Sequence, residues 1–154
     1  MSNSKESVQK ARDYAFLLLK FRLRSEKELY ERLRKKKFDQ GVIKEVLAFL
    51  KERKFIDDNL FAKSWIESRL KKPFGLRRLT QELKLKGIEK EIIDNRIQEA
   101  KEGYSEADIV KRLAGMRFKK LKNIEPQKAK MRVYGYLLRR GFSPEIVSDA
   151  ITQS

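Results

Sequence analysis

Apolar residues recur at helical spacing along nearly the whole chain, in three successive rounds. In the first, Ala11, Tyr14, Ala15, Leu18 and Leu19 mark a helix over about residues 8–23; Leu29 and Leu33 mark a second, and Ile43, Val46, Leu47 and Leu50 a third. Round two reads Phe61, Ala62, Trp65, Ile66 and Leu70, then Leu76, Leu79 and Leu83, then Ile92, Ile93, Ile97 and Ala100. Round three reads Ala107, Val110 and Leu113, then Val133 and Leu137, then Ile146, Val147, Ala150 and Ile151.

Punctuation repeats with the pattern. The stretches LYERLRKKKFDQGVI, LTQELKLKGIEKEII and VYGYLLRRGFSPEIV each run from an apolar stripe through a basic tip to an apolar residue, a turn and a further apolar pair. Phe38 with Ile43, Ile88 with Ile93, and Phe142 with Val147 have the spacing of hydrophobic staples. Ser25 opens the box SEKE, in which its hydroxyl and the Glu28 carboxylate each reach the other's backbone N–H. Asp39 and Ser143 stand as N-caps, and Pro144 as a first helical residue. Gly87 and Gly141 occupy helix ends that call for a left-handed residue; Lys37 holds that place in the first round, at a cost of order 1 kcal/mol.

These rounds predict an all-α, elongated array of three tandem three-helix repeats. Its segments are a polar N-terminal extension over 1–10 and repeats over 11–58, 59–102 and 103–154. Units of about 45 residues fold marginally alone and bury their exposed faces on stacked neighbours. KKPFG (71–75) and RFKKLKNIEP (117–126) read as loops or helix ends inside the second and third repeats.

Composition narrows the chemistry. The 154 residues contain no cysteine and no histidine, which removes disulfides, thiol nucleophiles, Cys/His zinc sites and imidazole catalysis. Neither enzymatic activity nor a cofactor is expected. The longest apolar run, AFLLL, is far short of the roughly 20 residues a membrane span needs. MSNSKESVQK lacks the apolar segment of a secretory signal, so a cytoplasmic, membrane-free monomer is expected. Lys and Arg number 38 against 22 Asp and Glu, a net charge of +16 that favours polyanionic partners. Split by segment, the excess is +1, +5, +4 and +6, so it runs along the whole body.

Two readings of that charge stand side by side. Arg34, Lys35, Lys36 and Lys37, then Lys84 and Lys86, then Arg139 and Arg140, lie where cations complement a helix dipole, at about 0.3–1 kcal/mol each. Four cations in succession exceed that need, and aligned tips would form a stripe suited to phosphates or an acidic groove. Arg69, Lys71, Lys72, Arg77 and Arg78 crowd around Gly75, between two helices. Arg69 has a structural alternative, pairing with Glu82. The adjacent Asp57 and Asp58 suit a helix cap better than a metal site. Helix-turn-helix geometry arises three times, as it does in any three-helix core. A phosphate cradle does not follow from PFG, which has one glycine.

FIDDNLFAKSWIESRL followed by GLRRLTQELKLKGI resembles the signature of the RecX family of bacterial regulators of the RecA recombinase. Asp57-Asp58, Phe61-Ala62, Ile66, Arg69, Gly75, Glu82-Leu83 and Lys86-Gly87-Ile88 carry the likeness. YAFLLLKFRLRSEKEL looks like the family's first repeat and LLRRGFSPEIV like its last, so the resemblance covers residues 11 to about 151. Leu76 stands where the family often has proline, and Lys37 where it often has glycine. The resemblance implies tandem three-helix repeats and no catalysis. It further implies binding along the groove of the RecA filament, with suppression of ATP hydrolysis, strand exchange and co-protease activity. DNA, single-stranded and double-stranded, is an implied second partner. A stand-alone nucleic-acid binder or transcription regulator, and a scaffold for an unrelated acidic protein, remain as alternatives.

Overall fold

A computed structural model describes residues 2–153; Met1 and Ser154, the outermost positions of the expected extension and third repeat, lie outside the described residues. Nine helices and no strand occur among them: α1 (Ser2–Phe21), α2 (Glu26–Lys35), α3 (Gln40–Glu52), α4 (Asp58–Leu70), α5 (Leu76–Leu85), α6 (Lys90–Gly103), α7 (Glu106–Lys120), α8 (Pro126–Arg139) and α9 (Pro144–Thr152). The chain divides into two compact units, residues through 64 with 83–92, and 65–82 with residues from 93 onward. The division falls inside α4, α5 and α6, so each unit takes part of the middle three helices.

In the first unit the apolar stripes of α1, α2 and α3 close on one another. Ala11, Ala15, Leu29, Leu33, Val46 and Leu50 are fully buried, with Phe38 packed at the edge. In the second, Val110, Val133, Leu137, Phe142 and Val147 form the corresponding centre of α7, α8 and α9. Burying a Leu or Val side chain stabilises by about 1.5–3 kcal/mol, so these stripes outweigh the modest helix propensities of so polar a chain.

The caps explain where helices begin. Ser25 Oγ accepts the Glu28 N–H at 3.2 Å, and Glu28 Oε1 accepts the Ser25 N–H at 3.1 Å. Asp57 Oδ1 accepts the N–H groups of Asn59 and Leu60 and so starts α4. Ser143 accepts the Ile146 N–H ahead of Pro144. Asp39 takes the N-cap position and backbone conformation expected of it, but its side chain makes no capping bond.

Helix ends share one device. After α2, α3, α5 and α8, a left-handed residue turns the chain so that two N–H groups bond back to the last turn: Lys37 to Arg34 and Phe38 to Leu33, Lys54 to Lys51 and Phe55 to Leu50, Gly87 to Lys84 and Ile88 to Leu83, Gly141 to Leu138 and Phe142 to Leu137. This is the Schellman arrangement. The apolar residue that follows each repeated basic tip is therefore the one this turn folds inward. Lys54, with φ of 60°, is an additional instance that the repeats did not indicate.

One boundary differs from expectation. Residues 2–10 are not a separate extension but the first turns of α1, which begins at Ser2 rather than near residue 8. Val8 packs against the first core and Gln9 Nε2 donates to Asp13 Oδ1 at 2.9 Å, one helical turn ahead. Residues 71–75 lie between α4 and α5, and 117–126 comprise the last turn of α7, the connection and the first residue of α8, both as expected of loops or helix ends.

Candidate functional site

The crowd of cations around Gly75 resolves into a knot with an aromatic at its centre. Phe74 is nearly buried, and the guanidiniums of Arg69, Arg78 and Arg140 stand 4.5, 4.4 and 4.6 Å from its ring centroid. Arg69 comes from α4, Arg78 from α5 and Arg140 from the end of α8. Such stacking is worth about 0.5–2 kcal/mol per cation, depending on its exposure to water.

A single carboxylate answers two of these three charges, while Arg140 donates to a backbone carbonyl instead. Glu82 accepts from Arg69 Nε at 3.0 Å and Arg69 Nη2 at 2.6 Å, accepts from Trp65 Nε1 at 3.0 Å, and lies 3.5 Å from Arg78 Nε. Burial pushes its pKa up, but the bonds from Arg69 and Trp65 and the charge of Arg78 prevail and hold it below the ordinary carboxylate value. Arg69 thus makes the bidentate pair that its spacing to Glu82 allowed.

Backbone contacts lock the loop in place. The Gly75 N–H donates to Arg140 O at 2.8 Å, Arg140 Nε donates to Pro73 O at 2.9 Å, and the Tyr104 hydroxyl donates to Phe74 O at 2.7 Å. A Cβ on Gly75 would stand 2.1 Å from the Gly141 carbonyl oxygen, so only glycine permits this approach. Glu106 accepts the Leu76 N–H at 3.2 Å; its burial pushes the carboxyl pKa up despite that bond. The immobilised loop leaves Lys71, Lys72 and Arg77 exposed, and none of the three has a carboxylate partner.

The other expected cations divide in the same way. Arg34, Lys35, Lys36 and Lys37 project from the end of α2 into solvent, as do Lys84 and Arg139 from α5 and α8. Lys86 is half-buried, and its Nζ donates to Glu28 Oε2 at 2.9 Å. The signature acids are structural. Asp57 caps α4, while Asp58 Oδ1 accepts the Glu26 N–H at 2.9 Å, with burial pushing the Asp58 pKa up. Phe61 and Ala62 are buried, and Gly87 has φ of +78°.

The sequence reading passed over one concentration of charge. Residues 116–141, the end of α7 through α8, hold nine Lys and Arg against a single carboxylate, Glu125. That is a net +8, half the excess of the chain. Glu125 is committed to capping α8, accepting the N–H groups of Gln127 and Lys128 at 3.1 Å. Summing charge over whole repeats hid this segment behind four acids elsewhere in the third repeat; a running sum over about two helix lengths exposes it.

Three models of one family match the chain in order: the first three-helix domain of RecX over residues 11–50, the second over 57–95 and the third over 105–151. The regulatory protein RecX of a Mycobacterium species is 35% identical over 94% of this chain and 81% of its own length. That of Bacillus licheniformis is 34% identical over 97% of this chain, which spans only 56% of that longer relative. The crystal structure of RecX from Lactobacillus salivarius superimposes with a TM-score of 0.81 over 97% of both chains; at 21% identity it speaks for the fold alone. The relatives are named as regulators rather than enzymes. By its three ordered domains and its relatives, this chain belongs to the RecX family.

Proposed function

We propose that this chain binds the RecA nucleoprotein filament along its groove and restrains it. ATP hydrolysis, strand exchange and co-protease activity would all fall, limiting recombination, DNA repair and the SOS response. Membership of the RecX family carries the reading. The distribution of charge supports it, because exposed cations with no carboxylate partner occur in every repeat: Lys35 and Lys36, then Lys71, Lys72 and Arg77, then Arg139. Each such contact is weak, at most about 1 kcal/mol for an exposed pair in water. Joined in one chain, weak contacts reinforce one another through high effective concentration.

Restraint of this kind needs occupancy rather than chemistry. The Phe74 knot would act as a fixed mount: Arg69, Arg78 and Arg140 hold the loop, while Lys71, Lys72 and Arg77 meet the filament. Single-strand-dependent ATP hydrolysis by RecA, measured against increasing amounts of this protein, tests the reading. Slowing at substoichiometric ratios is expected. Unchanged hydrolysis at every ratio would overturn it.

A further inference from the structure

Between α7 and α8, within the second compact unit, lies a groove of about 340 Å³. Arg117 and Lys120 stand on its α7 wall, Arg132 and Arg139 on its α8 wall, and Met131 and Tyr136 supply apolar surface between them. No carboxylate lines it, and none of the four cations forms an ion pair. In a chain with 22 acids, an acid-free groove flanked by cations on both sides is a local departure from the charge mixing seen elsewhere. Its apolar part is open to water, with Met131 69% exposed.

The geometry points to a binding site for single-stranded nucleic acid, with one base resting in the groove and the flanking phosphates on its two walls. This deepens the filament reading, on which its biological sense rests, by giving this chain its own hold on the strand.

Three features favour nucleic acid over an acidic peptide. The Arg117 guanidinium lies over the Tyr136 ring at 3.8 Å, so a planar cationic surface is already assembled in the groove. Bases stack on aromatic rings and on guanidinium planes alike, and they do so without regard to sequence. Arg132 and Arg139 are seven residues apart on one helix, about 10 Å along its axis, which distributes charge along a strand rather than concentrating it on one group. Finally, the cap Glu125 is the sole acid between residues 116 and 141 and no carboxylate is among the lining residues, so the groove's own walls do not repel a phosphate backbone.

The test uses the full chain and a fluorescein-labelled oligothymidylate, read by anisotropy without RecA. Two variants probe the site. Lys120→Glu with Arg132→Glu reverses two exposed wall cations, and Gly135→Leu fills the groove with no change in charge. A Cβ at Gly135 meets only the flexible tip of Arg139, at 3.1 Å, so the second variant should fold. Lys10→Glu with Lys44→Glu, at exposed positions elsewhere, is the charge control. Circular dichroism checks folding of all three.

We expect a loss of at least tenfold in affinity for both groove variants and less than threefold for the control. The slope of log affinity against log salt should fall by about 1.4 in the charge-reversal variant, two phosphate contacts having gone. Equal losses in variants and control would show diffuse charge attraction and overturn the site. So would undiminished binding by Gly135→Leu, or displacement of the oligonucleotide by polyglutamate at equal charge concentration. If the native chain binds no oligothymidylate yet still slows RecA, the groove proposal fails while the filament reading stands.

Discussion

Gly75→Ala isolates the close approach of α5 to the end of α8. The new methyl would lie 2.1 Å from the Gly141 oxygen, 2.2 Å from its carbonyl carbon and 2.4 Å from the Phe142 nitrogen, all of them backbone atoms with little freedom to yield. Ordinary contact requires a retreat of more than about 1 Å. That movement stretches the 2.8 Å bond from the Gly75 N–H to Arg140 O beyond hydrogen-bonding range. Leaving those partly buried groups unpaired costs about 1–3 kcal/mol. Loosened packing around Phe74, Leu76 and Phe142, which are 9%, 2% and 1% exposed, adds on the order of 1 kcal/mol. Against this, alanine lowers the freedom of the unfolded chain by about 0.4–1 kcal/mol, since Gly75 does not have a positive φ. A net loss of about 2 kcal/mol is expected. Urea denaturation at neutral pH measures it, with Gly115→Ala as the companion. Gly115 sits within α7 with nothing in reach of a new Cβ, so its substitution should stabilise by about 0.5–1 kcal/mol. If Gly75→Ala cost less than about 1 kcal/mol, the backbone approach inferred here would be wrong.

Three further outcomes are expected. Ser25 is fully buried and its hydroxyl also donates to Lys86 O at 2.7 Å, so Ser25→Ala should lower stability by about 2 kcal/mol in a thermal or urea melt; an unchanged midpoint would contradict that double role. Burial pushes the Glu28 pKa up, but bonds from Arg22, Lys86 and the Ser25 backbone bring it from 4.5 down to about 2. Its contribution, about 3 kcal/mol, should therefore be full above pH 4.5 and fade as pH falls towards 2. The stability gap between the native chain and Glu28→Gln should close over that window; a gap independent of pH would refute the assignment. Reversing Lys71, Lys72 and Arg77 to Glu together should raise the protein needed for half-inhibition of RecA by at least tenfold with folding intact, and an unaltered titration would remove that surface from the interface.

Local signals served the sequence reading well. Helical phase placed the three rounds because apolar spacing directly reports which face is buried. The Ser25 box and the left-handed positions at Lys37, Gly87 and Gly141 were legible because each involves neighbours in the chain. What escaped depends on distant partners. Arg140 reaches Pro73 and Phe74 across most of two repeats, and no spacing rule anticipates that three arginines share one ring. Asp39 had the right residue type and position for a capping bond that its side chain does not make, since rotamer choice is not written in spacing. The N-terminal residues read as a polar extension, yet Val8 gives the first turns of α1 a foothold on the first core. The cations of the groove between α7 and α8 come from both helices, and the acids elsewhere in the third repeat offset them in the net charge of the whole repeat.

Co-sedimentation with RecA assembled on single-stranded DNA, run beside the same DNA without RecA, tests the central claim most directly. The account predicts that the protein pellets with the filament at concentrations where DNA alone retains little of it, and that it slows ATP hydrolysis in the same samples. Retention no greater on the filament than on naked DNA, with hydrolysis unaffected, would contradict it.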